Sequence, residues 1–339
     1  MKTRVWRRLI LVFVGFAVFV SPAQQSGQSG SAQTPTSSAS STMMFAEVIA
    51  QQGHGLPLRQ LTKEDFRLYN DRHEAQVAWF RSGARFEARP IALWLTVLCN
   101  EGGKFAGSRE FSGKEALFRP ALDQLDKRDT VGVAHWCDNG DAQLDLLPTK
   151  DRDQAISVLA KAIQPISFNI GANSNLVGEE AFEKTVRLIL RDSRERDTQA
   201  LPVIVFLYGG SGSHQKDNLD FLIDDISTNL AIVFGIQDEV DLTNLTERNG
   251  QQGHFINYMI EQSGGQYLTT TPKGYAAALV MILMQLHFRY ELGFEPGKVG
   301  QGRHEIKVEL TKEASERYKG ARLRYCAEFV APSGEAKGP

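Results

Sequence analysis

The stretch Gly209-Gly210-Ser211-Gly212-Ser213 follows an apolar run and comes nearest to a catalytic signature. A serine nucleophile on a sharp strand-to-helix turn is written Gly-x-Ser-x-Gly, and Ser211 sits at its centre. The fifth position is Ser213 rather than Gly, and Gln215-Lys216-Asp217-Asn218 delays any helix. His214, His254 and His287 have no spacing that makes one of them the base. The segment is therefore read as a Gly/Ser loop, with a serine hydrolase acting through Ser211 as the alternative. It is not a phosphate cradle either, because the Gly-Lys-Ser/Thr end is missing. The 3 cysteines and 7 histidines show no Cys/His metal spacing. No catalytic residue, resident metal or cofactor is expected, and the chain is read as non-enzymatic.

The elements that would position such loops begin with Ile91 to Leu98, an almost wholly apolar run ended by Cys99-Asn100-Glu101-Gly102-Gly103. A strand buried on both faces belongs in the middle of a parallel sheet, whose ligands sit beyond the carboxyl ends of its strands. Strands are also expected at Val131–Trp136, Pro202–Leu207, Leu230–Gly235 and Gln266–Leu268, with an edge strand over Ala142–Leu147. Helical stripes fall at Lys114–Leu125, Arg152–Ile163, Glu180–Leu190, Leu219–Ile226 and Phe255–Gln262, the last stopped by Gly264-Gly265, and at Tyr275–Phe288. This alternation predicts an α/β fold with a doubly wound, mostly parallel sheet spanning 88–288.

Flanking this core, the period is two. Residues 43–82 read as an N-terminal β segment, with Leu61–Phe66 as one helical turn opened by a Thr cap. Residues 289–332, carrying Tyr290–Phe294, His304–Leu310 and Leu323–Phe329, read as a C-terminal β segment that pairs with it into a small β domain; 333–339 is a tail. At the start, Lys2, Arg4, Arg7 and Arg8, the apolar Leu9–Val20 and Ser21-Pro22-Ala23 predict a cleaved signal peptide over 1–23. Its apolar run falls short of the roughly 20 residues a bilayer span needs, so no stable membrane span is expected after cleavage. Gln24–Thr42 has no apolar period and reads as a disordered tether. Removing the four basic residues from 38 leaves 34 against 40 acidic ones, taking the charge from −2 to −6, which argues against a nucleic-acid partner.

In order and spacing, several segments resemble the von Willebrand factor A-like proteins of the secreted bacterial VWFA-related (acidobacterial) family. They are Leu61-Thr62-Lys63-Glu64-Asp65-Phe66, the Ile91 strand, Asp129-Thr130-Val131-Gly132-Val133, Val203–Leu207, Gly264-Gly265-Gln266-Tyr267, Tyr290–Phe294 and His304–Val308. The resemblance runs from about Phe45 to Pro332. It implies a metal-ion-dependent adhesion site, in which oxygen ligands hold a hard cation such as Mg²⁺ at octahedral positions. The implied Asp position falls on Leu98, the two Ser positions on Asn100 and Gly102, and the second Asp position on Tyr208 or Gly209; Ser174 falls loosely on the Thr position. With Leu in the anchoring place, the site is read as degenerate, with Glu101, Asp138 or Asp141 as the only nearby substitutes. The A-domain strand order also makes the strands ending at Cys99 and Cys137 neighbours, which implies a disulfide between them in an oxidising compartment and leaves Cys326 as a buried free thiol. The reading is an exported, periplasmic or secreted, protein-binding or scaffold protein. It would bind through Asn100, Glu101, Gly102, Ser174, Asn175, Gly209, Gly210 and Ser211, without a metal. A metal-dependent adhesion module with unconventional ligands is the other alternative.

Overall fold

The computed structural model describes residues 43–53, 55–82, 89–99, 118–137, 141–162, 174–196, 199–208, 219–238, 254–297 and 302–331. The expected signal peptide and tether lie outside these residues. In chain order the strands and helices are β1 (Met44–Gln52), β2 (Leu56–Pro57), β3 (Phe66–Asn70), β4 (His73–Ala75), β5 (Val77–Arg81), β6 (Ile91–Cys99), α1 (Arg119–Leu122), β7 (Thr130–Cys137), β8 (Ala142–Thr149), α2 (Arg152–Ala162) and α3 (Ser174–Arg196). There follow β9 (Leu201–Tyr208), α4 (Leu219–Thr228), β10 (Ile232–Asp238), α5 (His254–Gln262), β11 (Tyr267–Thr270), α6 (Tyr275–His287), β12 (Tyr290–Phe294), β13 (Gly302–Leu310), α7 (Lys312–Arg317), β14 (Arg322–Tyr325) and β15 (Glu328–Ala331).

Six strands form the central sheet in the order β11-β10-β9-β6-β7-β8. All pairs are parallel except β7 with β8, so β8 is an antiparallel edge. The chain starts in the middle at β6, builds outward to β8, then returns to the other side of β6 with β9. That reversal places a topological switch point between β6 and β9, where α/β sheets open a crevice beyond the strand ends.

The sheet is buried on both faces because its strands are apolar on both faces. Leu93, Leu95, Val97, Val131 and Val133 pack with Phe118 and Leu122 of and beside α1, Leu159 of α2 and the apolar α6. The alternate residues Trp94, Ala134 and Trp136 pack with Phe182 and Ile189 of α3, Leu222 of α4 and Ile260 of α5. Trp94 fits because its neighbour is glycine: a Cβ on Gly132 would stand 2.6 Å from Trp94 Cε3. α5 stops as its Gly pair predicts. Gly265 N donates to Ile260 O at 2.9 Å, and Gly264 takes φ +80°, a conformation cheap only without a Cβ.

Two antiparallel sheets flank this one, in the orders β14-β1-β12-β5 (with β2 on β1) and β15-β13-β3-β4. They share a core that includes Val48, Leu68, Tyr290, Phe294, Val308 and Phe329. A buried charge cluster ties the first of them to α6. Arg289 Nε donates to Glu47 Oε2 at 2.7 Å, its Nη1 to Leu286 O at 2.7 Å and its Nη2 to Arg89 O at 2.6 Å. The turn at Leu61–Phe66 is a short 3₁₀ segment, where the Asp65 carboxylate accepts from Thr62 N at 2.9 Å and Arg317 Nη2 donates to it at 3.2 Å.

One strand expectation is corrected. Leu323–Phe329 is not continuous: β14 ends at Tyr325 and β15 starts at Glu328, and they lie in different sheets. Ala327 breaks the ladder by turning its backbone elsewhere, accepting from Ile306 N at 2.7 Å and donating to Gln262 O at 3.3 Å. The alternation of side chains survives such a jump between sheets, so period alone does not reveal it. The helix expected over Lys114–Leu125 is described from residue 118 onward and is short, Arg119–Leu122. α3 runs from Ser174 to Arg196, well beyond the Glu180–Leu190 stripe.

Candidate functional site

The carboxyl end of the central sheet is built from the last residues of β6, β7 and β9. In the parallel register Leu98 stands opposite Trp136 and Cys99 opposite Cys137, while Val97 pairs with Leu207 on the other side. Of the expected binding residues, Asn100, Glu101, Gly102, Gly209, Gly210 and Ser211 lie outside the described residues. Ser174 and Asn175 are the first two residues of α3.

The richest described chemistry lies one strand over. His135 and Cys137, two apart in β7, project to the same face of the sheet. Beyond the turn, Asp141 returns the chain, and Cys137 N donates to its backbone carbonyl at 2.8 Å. On β8 the register slips between Val133 and Ala134, which face Leu146 and Leu144, so Asp145 is the extra residue of a bulge. A bulge re-aims a side chain, and this one sets the Asp145 carboxylate 2.8 and 2.9 Å from His135 Nδ1. His135 Nε2 is buried and faces Asp141 Oδ2 at 3.5 Å, an ion-pair contact longer than an ordinary hydrogen bond. A ring nitrogen of His135, the Cys137 sulfur and an Asp141 oxygen all lie within 4.8 Å of one another. His135 is 8% exposed and Cys137 2%. Hydrogen bonding to Asp145, with the Asp141 charge adding to it, raises the His135 pKa above its ordinary value near 6.5 despite burial.

The opposite end of the same sheet carries a second pair. Asp129, immediately before β7, accepts from Ile91 N at 2.9 Å, from Asp126 N at 2.7 Å and from His287 Nε2 at 2.9 Å. Both side chains are buried, so this end is closed by polar contacts that consume the carboxylate.

Cys326 is a free thiol, half-buried between β14 and β15. Burial pushes its pKa up, so at neutral pH it is a protonated thiol with little nucleophilic character. His287 belongs to the Asp129 clamp. Sequence reasoning named Asp141 and passed over His135 and Asp145. The alternate spacing of His135 and Cys137 on a strand was a usable signal. The bulge that delivers Asp145 has none.

Among the described residues no helix is long and apolar enough to cross a membrane. No protein-family model matches the chain, and no curated protein does. Solved structures give loose likenesses. A conserved protein BatB from Bacteroides thetaiotaomicron is 16% identical at a TM-score of 0.41, over 58% of this chain and 98% of that one. A von Willebrand factor type A protein from Catenulispora acidiphila is 12% identical at 0.41, over 79% and 72%. An aerotolerance-related membrane protein from Bacteroides fragilis is 13% identical at 0.41, over 57% and 98%. At such scores they carry no argument, and the fold stands on its own strand order.

Proposed function

We propose that this chain is an exported protein-binding or scaffold protein of von Willebrand A-like fold, whose binding face works without the Mg²⁺ site of that family. The supporting topology is the switch point between β6 and β9, which brings the carboxyl ends of these two strands side by side. The observation that carries the reading is Leu98 near the carboxyl end of β6, in register with Trp136, where the resemblance puts the anchoring carboxylate. A hydrocarbon side chain cannot ligate a hard cation, so a partner would be recognised by loop contacts instead. Asn100, Glu101, Gly102, Ser174, Asn175 and Gly209 to Ser211 are the residues assigned to that contact.

In this reading the two flanking antiparallel sheets act as one small β domain, and the signal peptide over 1–23 directs export. Cys99 and Cys137 form a disulfide across neighbouring strands. The parallel register that places Cys99 opposite Cys137 supports this pairing.

The test is capture of a protein partner by the oxidised full chain from extracts of its native source. Equal capture with Mg²⁺ and with chelator, lost in Glu101→Arg, is expected. Micromolar Mg²⁺ binding by calorimetry, or capture abolished by chelator, would overturn the metal-free reading. Fluorophosphonate labelling that disappears in Ser211→Ala would overturn the non-enzymatic one.

A further inference from the structure

His135 has the arrangement of a metal-binding imidazole. Its Nδ1 is engaged by the Asp145 carboxylate at 2.8 Å, which in the neutral ring fixes the proton on Nδ1 and leaves the Nε2 lone pair free. That Nε2 is buried, with Asp141 Oδ2 3.5 Å away, and the ring belongs to one cluster with the Cys137 sulfur and the Asp141 carboxylate. Burying a nitrogen without an ordinary hydrogen bond costs free energy, and gathering a nitrogen, a sulfur and a carboxylate in one cluster is not needed to build a hairpin. Tetrahedral ligands about 2.0–2.3 Å from an ion stand about 3.3–3.8 Å apart, so a cluster already within 4.8 Å closes onto an ion with shifts of about 1 Å.

We propose that His135 Nε2, the Cys137 thiolate and the Asp141 carboxylate bind one Zn²⁺ ion when the Cys99–Cys137 disulfide is reduced, with Asp145 as positioning residue. Nitrogen and sulfur donors select a borderline-soft metal over Mg²⁺ or Ca²⁺, which distinguishes this site from a hard-oxygen adhesion site. Asp141 faces solvent, its side chain 52% exposed, so water has access to a fourth ligand position. The disulfide and the metal are alternative states of one sulfur. Two electrons and two protons from a dithiol break the S–S bond and leave two thiols, while the dithiol becomes a disulfide. On metal binding the Cys137 thiol releases its proton to solvent. The redox gate rests on the disulfide pairing proposed above. The ligand set does not, and neither depends on the partner-binding reading.

The experiment is a Co²⁺ titration of the full chain, followed by Zn²⁺ displacement. After reduction with a phosphine, which takes up the disulfide's oxidation as its own oxide with oxygen from water, one equivalent of Co²⁺ is expected to give a thiolate charge-transfer band in the near ultraviolet. Zn²⁺ should abolish it. His135→Ala should weaken binding at least 100-fold, and Asp145→Asn roughly 10- to 100-fold with the thiolate band retained. A Cys99→Ser variant, folded by circular dichroism, should bind without any reductant. Absence of the band in that folded variant, or unchanged affinity in His135→Ala, would overturn the site. Equal binding by the oxidised wild-type chain would overturn the redox gate.

Discussion

Two carboxylate–imidazole pairs with buried imidazoles sit at opposite ends of β7, and they are wired differently. At the amino end, Asp129 joins His287 of α6, Ile91 of β6 and Asp126 of the preceding loop. The partners come from segments far apart in the chain, and the carboxylate is used up by them. At the carboxyl end, Asp145 and His135 belong to one hairpin, and the outer nitrogen of the imidazole meets only the exposed Asp141 carboxylate at 3.5 Å, without an ordinary hydrogen bond. A closed, long-range pair holds elements together; an open, local one is available for a ligand. The same two side-chain types therefore serve stability at one end and binding chemistry at the other.

The sharpest way to break this comparison is to remove each carboxylate or imidazole in turn. Asp129→Ala strands two backbone N–H groups and a buried imidazole, and should cost about 3–5 kcal/mol in urea unfolding. His135→Ala should cost only about 1–2 kcal/mol, because it also removes a nitrogen that is already unsatisfied. Equal losses for the two would erase the distinction between a sealed end and an open one.

Between the ends lies Gly132, whose position tests whether the sheet itself is as tightly packed as the sealed end. Gly132→Ala drives a methyl into the Trp94 ring and should cost about 1–3 kcal/mol, with part recovered in a Gly132→Ala, Trp94→Leu double variant. No recovery in the double variant would mean that the backbone rather than the ring sets the limit.

The sealed end was partly legible in the sequence and the open end hardly at all. Asp129-Thr130-Val131-Gly132-Val133 stood out as a motif, and the apolar runs at Ile91, Val131 and Val203 foretold a buried parallel sheet because such strands need no alternation. What Asp129 does was hidden, since its partners Ile91 and His287 lie 38 and 158 positions away. The edge strand β8, antiparallel to β7, was expected as an edge from alternation over Ala142–Leu147, but the bulge at Asp145 disturbs that alternation without a Gly or Asn to mark it. Strand edges were likewise hidden: β14 and β15 read as one run because the jump between sheets keeps the side-chain period. The loops assigned to partner contact were chosen from the resemblance, and most lie outside the described residues.

A third pair, Asp71 with His304, extends the comparison to the surface and should show the smallest effect. Asp71 lies in the β3–β4 turn at φ 47°, and its Oδ2 is 2.6 Å from His304 Nδ1 while its Oδ1 accepts from Glu305 N at 3.0 Å. The His304 hydrogen bond, then the Glu305 N–H, hold the Asp71 carboxyl below its ordinary value near 3.8. A depressed carboxylate pKa means that the unfolded chain binds the proton more readily. Its stabilisation is therefore present above about pH 3.8 and is lost as pH falls through the lower folded-state value. Because the group is solvent-exposed, screening keeps the contribution under about 1 kcal/mol. Asp71→Asn should lower the melting temperature slightly at neutral pH and not at all near pH 2, and added salt should shrink the difference. A loss as large as that of Asp129→Ala would show that burial is not what separates the pairs.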